Sequence, residues 1–202
     1  MRIASQGILN QDTEITFYFD SKPYKGFLGD TVASALLAND VHLVGRSFKY
    51  HRPRGILGIG SEEPNALISV HKGGRVEPNV RATVQEIYQG LIVASQNSWP
   101  NLKFDALAIN DIAAPFLSAG FYYKTFMWPP RFWEALYEPI IRRAAGLGRL
   151  DPKTDDDNYD QNFLFCDLLI IGGGPSGLLS ALLTARAGLD VILVDENANL
   201  GG

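Results

Sequence analysis

The sequence predicts two folds in series: an α+β β-grasp domain, then the βαβ opening of an α/β, Rossmann-type FAD/NAD-binding domain. Three observations carry this. Residues 14–98 read as hairpin, helix, strand, hairpin. A G-x-G-x-x-G turn at Gly172, Gly174 and Gly177 joins an apolar strand to a helix. Between the two, the composition shifts first to aromatic and then to acidic. The expected units are 1–98, a connection and linker over 99–162, and a partial dinucleotide-binding unit over 163–202.

In the first unit, "EITFYF" (14–19) alternates and is rich in β-formers. "DSKP" is a turn signal and "YKGF" its return strand. "GDTVASALLAND" reads as a helix, with Asp30 or Thr31 placed to cap its orphan amides. "NALISV" is a strand and "HKGGR" a turn. "RATVQEIY" and "LIVAS" read as a second hairpin with Gly90 in its turn.

The connection holds two helical stretches, "FDALAINDIAAPFL" and "PPRFWEALYEPIIRRAAGLG". Pro130 is placed for a first helical turn, Pro139 for a kink, and Gly146 or Gly148 for a stop. Nine of the chain's 22 aromatics lie between Phe116 and Tyr137. They read as a local core, with a partner-facing surface as the alternative. "DPKTDDDNYDQN" places five aspartates within ten residues and reads as a solvated linker.

The last unit carries the chemistry. Gly172 allows the tight turn out of the strand, Gly174 lets backbone approach a pyrophosphate, and Gly177 lets the helix pack close to the strand. Gly173, Pro175 and Ser176 complete the turn, and the Ser176 hydroxyl is an added donor. The helix N-terminus offers free amides and partial positive charge to phosphates. A second apolar strand, "DVILVDE", ends in Asp195, 21 residues after Gly174. There an acid accepts hydrogen bonds from a ribose diol and repels a 2′-phosphate, which favours NAD or FAD over NADP. Glu196 takes that role if the register differs by one. The chain ends at Gly202, before the further strands of such a fold. The expectation is that it binds a dinucleotide weakly or not at all by itself.

Composition excludes several classes. The net charge of −4 gives no general attraction to nucleic acid or anionic membrane. No apolar run reaches the length of a bilayer span, and the N-terminus has no secretory h-region, so the cytoplasm is the expected compartment. Cys166 is the only cysteine, which rules out an internal disulfide or a multi-cysteine metal site in this chain. His42, His51 and His71 have no ligand spacing, and no metal site is expected. "GRSFKYHRPRG" gathers Arg46, Lys49, Arg52 and Arg54 around His51. It reads as a solvated loop pairing with Glu62 and Glu63, or as an anion site or a basic patch for an acidic partner. Phe48 and Tyr50 alternate with the bases, but the charge argues against a nucleic-acid platform.

Several long motifs carry a family resemblance: "LVGRSFKYHRPRGI", "SQNSWP", "AGFYYKTFMWP", "YEPIIRRAAGLG" and "IIGGGPSGL…VILVDENANLGG". On these the chain resembles the N-terminal portion of the alpha subunits of heterotetrameric sarcosine oxidases. The resemblance implies beta, gamma and delta partner subunits and oxidation of sarcosine to glycine, with hydrogen peroxide formed. The methyl carbon leaves as formaldehyde or passes to tetrahydrofolate. It implies NAD on alpha, FAD on beta and FMN between them. It carries over Gly172, Gly173, Gly174, Pro175, Ser176, Gly177, Asp195 and Glu196, with Gly201 and Gly202 as a second glycine pair near the dinucleotide. No catalytic residue is carried over. Relatives of the β-grasp domain resemble ferredoxins, whose loop after the first helix holds closely spaced cysteines. That loop here has none, and the expectation is a domain without an iron–sulfur cluster. The alternatives are a non-catalytic module docking a flavin-bearing beta subunit, or a subunit of an oxidase or dehydrogenase for a related secondary amine, such as an opine or dimethylglycine.

Overall fold

The computed structural model describes residues 9–112, 114, 120, 128–144, 146–148, 151–153, 158–196 and 200–201. The chain divides into two compact units, Met1–Thr154 and Asp155–Gly202.

In the first unit, β1 (Asn10–Phe19) and β2 (Lys22–Leu28) form an antiparallel hairpin. Asp20 and Ser21 both take positive φ, as a two-residue turn requires. Helix α1 (Val32–Ala38) follows. Thr31 is its N-cap, in a reciprocal capping box with Ser34. Asp30 is fully buried and takes the Ser34 hydroxyl at 2.6 Å and the Phe27 amide at 2.8 Å. Of the two expected caps, Thr31 closes the helix and Asp30 fixes its approach.

Two short strands, β3 (Gly45–Arg46) and β4 (Pro53–Arg54), pair with each other. Then come β5 (Leu67–Lys72), β6 (Arg75–Arg81) and β7 (Ile92–Ser95). The main sheet has the order β2-β1-β7-β5-β6, with β1 and β7 parallel and the other neighbours antiparallel. A five-stranded mixed sheet with one helix packed on it is a β-grasp. Pro23 is tolerated because β2 is an edge strand.

The core is the inward row of β1 (Ile15, Phe17, Phe19), the buried face of α1 (Val32, Ala33, Ala35, Leu36), and Ile68, Val70, Leu91 and Val93. Gly26 lets the helix approach β2: a Cβ there would lie 2.4 Å from Ile87 Cδ1 and 3.1 Å from Ala35 Cβ.

The second hairpin differs from expectation. The turn at Gly73 and Gly74 joins β5 to β6, and "RATVQEIY" is no strand but a folded connection. Its backbone groups serve α1 instead. Val32 N–H donates to Gln85 O, Ala33 N–H to Ala82 O, and Ile87 N–H to Asp30 O. Satisfying the first-turn amides of a buried helix outweighs local strand propensity. Gly90 does take a turn conformation, at φ 81°.

In the connection, a 3-10 helix spans Ala106–Asp111. A 3-10 turn at Pro130–Phe132 leads into a π-helical turn (Trp133–Tyr137) and helix α2 (Glu138–Ala144). The rewinding falls just before Pro139, which lacks the amide a regular helix needs. Pro130 does open its element, and Gly146 follows α2 at φ 66°. Five of the nine aromatics singled out, Phe116, Phe121, Tyr122, Tyr123 and Phe126, lie outside the described residues. Among the described residues no helix is long and apolar enough to cross a membrane.

In the second unit, β8 (Leu168–Ile171) and β9 (Val191–Val194) pair in parallel through helix α3 (Pro175–Arg186).

Candidate functional site

The glycine turn between β8 and α3 gathers most of the site residues read from the sequence. Gly172 leaves β8 at φ 103°, a conformation glycine reaches without strain. Gly174 is the N-cap and Pro175 opens α3, with no side chain capping the helix. A Cβ on Gly177 would sit 1.9 Å from the Gly172 carbonyl oxygen and 3.5 Å from Ile170 Cγ2, so only glycine lets the helix close on the strand. Gly174 is different: its φ is −68° and a Cβ there would meet nothing within 4 Å among the described residues. Neither backbone nor packing demands glycine at 174, and the space outside it is open. Ser176 lies exposed in the first turn.

Asp195 follows β9 and turns back to the glycines. Its Oδ2 accepts the Gly173 amide at 2.5 Å. Gly201 donates its amide to the Gly173 carbonyl at 2.9 Å, and Leu200 covers Gly173. The structure thus joins Gly172, Gly173, Gly174, Gly177, Asp195 and Gly201 around one turn. Glu196 is exposed beside it, and Gly202 lies outside the described residues. This arrangement fits the pyrophosphate and ribose of a dinucleotide: an uncapped helix N-terminus, a turn without side chains, and an acid at the second strand's end.

Two cations of the basic loop, Arg46 and Arg52, are engaged away from Glu62 and Glu63. Arg46 donates through Nε to Leu102 O at 2.9 Å, through Nη2 to Leu102 O and Lys103 O, and through Nη1 to His51 O at 3.1 Å. Arg52 pairs with Asp111 at 2.7 Å. Asn97 donates to the carbonyls of Arg46 and Ser47. The anion-site reading thereby loses two of its four cations, and the partners are not Glu62 and Glu63. His51 lies with Nδ1 2.7 Å from Asp105 Oδ2 inside the protein. The two are 54 positions apart, and no motif links them.

The two glutamates hold their own loop. Glu62 accepts the Ile59 and Gly60 amides. Buried Glu63 accepts those of Leu57 and Asn65 at 2.7 Å, Ala66 at 3.2 Å and Gly58. Burial by itself raises the Glu63 pKa, but the four amides outweigh it and hold the carboxyl below its ordinary value. Among the described residues no cluster of three or more His, Cys, Asp or Glu side chains is placed to hold a metal ion.

Comparison with known proteins bears on both units. Residues 12–98 match the family described as "2Fe-2S iron-sulfur cluster binding domain", and residues 167–202 match "FAD dependent oxidoreductase". Over 201 residues the chain is 58% identical to "Sarcosine oxidase subunit alpha" of Rhizobium meliloti (strain 1021), covering 100% of this chain and 20% of that protein. Along its whole length the chain is similar to sarcosine oxidase alpha subunits. A second such subunit, from Corynebacterium sp. (strain U-96), is 33% identical over 197 residues, or 96% of this chain and 15% of the relative. The chain therefore spans about a fifth or less of the length of these sarcosine oxidase relatives. A solved structure of L-proline dehydrogenase from P. horikoshii aligns over 96% of this chain and 26% of that one, at 19% identity and a TM-score of 0.47.

These matches correct the cofactor expectation. The β-grasp domain falls in a family described by 2Fe–2S binding, where a domain of cluster-free kind was expected. The glycine unit matches an FAD family, where the residues left NAD and FAD open and the resemblance implied NAD. The expectation rested on cysteine spacing in one loop, whereas the family match reads the whole β-grasp pattern from 12 to 98. The donor chemistry of this alpha-type chain stands apart from its family's description: residues 12–98 contain no cysteine. Thiolates for such a cluster are not supplied there.

Proposed function

We propose that the chain is the N-terminal portion of the alpha subunit of a multi-subunit sarcosine oxidase. The observation that carries this is 58% identity to one such subunit along the full chain. In that reading the complex, built with beta, gamma and delta subunits, takes sarcosine, oxygen and water to glycine, formaldehyde and hydrogen peroxide. With tetrahydrofolate present, the one-carbon unit passes to it instead.

This chain's part is to bind and orient. The glycine unit is the opening of a Rossmann-type domain for an FAD-type dinucleotide, which supplies an electron-accepting ring when bound. The amides at the start of α3 face the pyrophosphate, and Gly174 leaves room for it. Asp195, with Glu196 beside it, accepts from the ribose diol, and Gly201 lies along the same ligand. Asp195 already fixes Gly173, so one carboxylate sets the turn and reads the sugar. Amine oxidation is assigned to the flavin-bearing beta subunit, and no catalytic residue is placed here.

Co-expression with the other subunits of the oxidase tests this. The expected result is a purified complex that consumes oxygen with sarcosine and releases peroxide. A complex that turns over an opine or dimethylglycine but not sarcosine would move the reading to that amine. A chain that binds neither partner nor dinucleotide would overturn it.

A further inference from the structure

β6 is the last strand of the main sheet, so its outer side meets no further strand among the described residues. An open strand edge presents amides and carbonyls with which another chain can pair. Along β6, side chains already take the outward amides. That of Val76 donates to Asp151 Oδ2 at 3.0 Å, and that of Asn79 donates to Gln96 Oε1. Pro78, between them, has no amide to offer. Asn79 takes positive φ, 61°, and the register with β5 shifts beside it, which interrupts the strand there.

The cover comes from the chain that follows α2. Gly148 N–H donates to Asn79 Oδ1 at 3.0 Å, and the same oxygen accepts Gln96 Nε2 at 2.8 Å. Gly148 lies so close to β6 that a Cβ there would sit 2.2 Å from Pro78 Cβ. A Cβ on Gly146 would sit 1.9 Å from Asn97 Oδ1, just beyond β7. Asp151 Oδ1 accepts the Lys153 amide at 3.1 Å, and Lys153 Nζ donates to the Gly74 carbonyl in the β5–β6 turn. Asp151 thus holds the strand with one oxygen and its own segment with the other. The Lys153 and Val76 amides hold its carboxyl below the ordinary value, so both oxygens are acceptors at neutral pH.

We infer that residues 146–148 and 151–153 form a strap, latched by Asp151, that closes the β6 edge against strand addition by a second copy of this chain. The competing strand is β6 of that copy, paired antiparallel about a two-fold axis at Val76. The two Val76 residues would then exchange amide and carbonyl bonds in place of the bond to Asp151. Arg75 of each chain would stand opposite Glu77 of the other, so no like charges meet. Pro78 ends such a pairing after Glu77, which keeps it short enough for one latch to prevent. This holds whether or not the oxidase reading does, because every contact in it lies within the first unit.

The test follows the full chain and two variants, D151A and D151N, by amide hydrogen exchange and sedimentation velocity over a range of concentrations. In D151A at low concentration the Val76 amide is expected to exchange about tenfold faster or more. As concentration rises, this variant should dimerise, and Val76 should regain protection in step. D151N, which keeps an acceptor oxygen, should stay near the wild type in both readouts. If Val76 exchanges at the wild-type rate in D151A, Asp151 is no latch. If the amides of β1 and β5 speed up equally, Asp151 supports the whole sheet and the strap is refuted. If Val76 alone exchanges faster but D151A forms no more dimer than the wild type, or dimerises without re-protecting Val76, the guarding of the edge is overturned.

Discussion

His51 Nδ1 lies 2.7 Å from Asp105 Oδ2 with both side chains wholly buried, and the His51 backbone takes the left-handed conformation at φ 53° to reach it. Asp105 Oδ1 also accepts the Trp99 and Leu107 amides at 3.0 and 3.2 Å. One carboxylate therefore organises both a loop and the segment beneath it. The other ring nitrogen, Nε2, is buried with no hydrogen-bond partner among the described residues. A strained backbone and an unsatisfied ring atom are held in place by this one pair and the packing around it.

Asp105→Ala is expected to destabilise the first unit by about 3 kcal/mol, since it removes three acceptor contacts and leaves buried donors unsatisfied. Asp105→Asn, which keeps an acceptor oxygen, should lose less. Chemical denaturation of both variants checks this, and equal stabilities for wild type and Asp105→Ala would refute it.

Glu63 makes a pH prediction. Its folded-state pKa is depressed, so its stabilising contribution is full above the ordinary carboxylate pKa of about 4.3. That contribution fades as pH falls through the lower, folded value. Glu63→Gln should cost about 1–3 kcal/mol at neutral pH, because an amide accepts fewer of the four N–H groups. It should also flatten the acid limb of the stability profile. Denaturant titrations from pH 7 down to pH 3 would show whether the two curves converge in acid, as expected.

Two glycines separate folding from binding. Gly177→Ala drives a methyl into the Gly172 carbonyl, 1.9 Å from where its Cβ would sit, and should unfold the glycine turn. Gly174→Ala meets no atom of the described residues within 4 Å and should leave stability within about 0.5 kcal/mol. In the assembled complex it should nonetheless weaken dinucleotide binding, because the methyl projects into the open space the pyrophosphate is proposed to fill. Calorimetric titration beside thermal melts distinguishes the two. Unimpaired binding by Gly174→Ala would contradict the proposed pose.

In the β-grasp unit, Thr31→Ala removes the N-cap acceptor of α1 and should cost about 1 kcal/mol. Leu36→Ala, at a fully buried position in the core, should cost about 2–5 kcal/mol. Equilibrium unfolding measures both, and Leu36→Ala should lose more than Thr31→Ala.

The elements read best from sequence are those whose causes are local. The alternation of "EITFYF", the capping residues before α1 and the glycine spacing at 172–177 each act within one or two turns of chain. The glycine spacing and the strand-end acid were legible too, and the fold brings Gly172, Gly173, Gly177 and Asp195 together at one turn. What it left undecided was long-range. "RATVQEIY" has the composition of a strand, yet its carbonyls are drawn to the start of α1. The basic loop invited pairing with the nearest acids, yet Arg52 finds Asp111 and His51 finds Asp105 more than fifty residues away. Glu62 and Glu63 hold backbone amides instead. A buried donor or acceptor must be matched by whatever group the fold brings within 3 Å, and only tertiary packing decides which group that is.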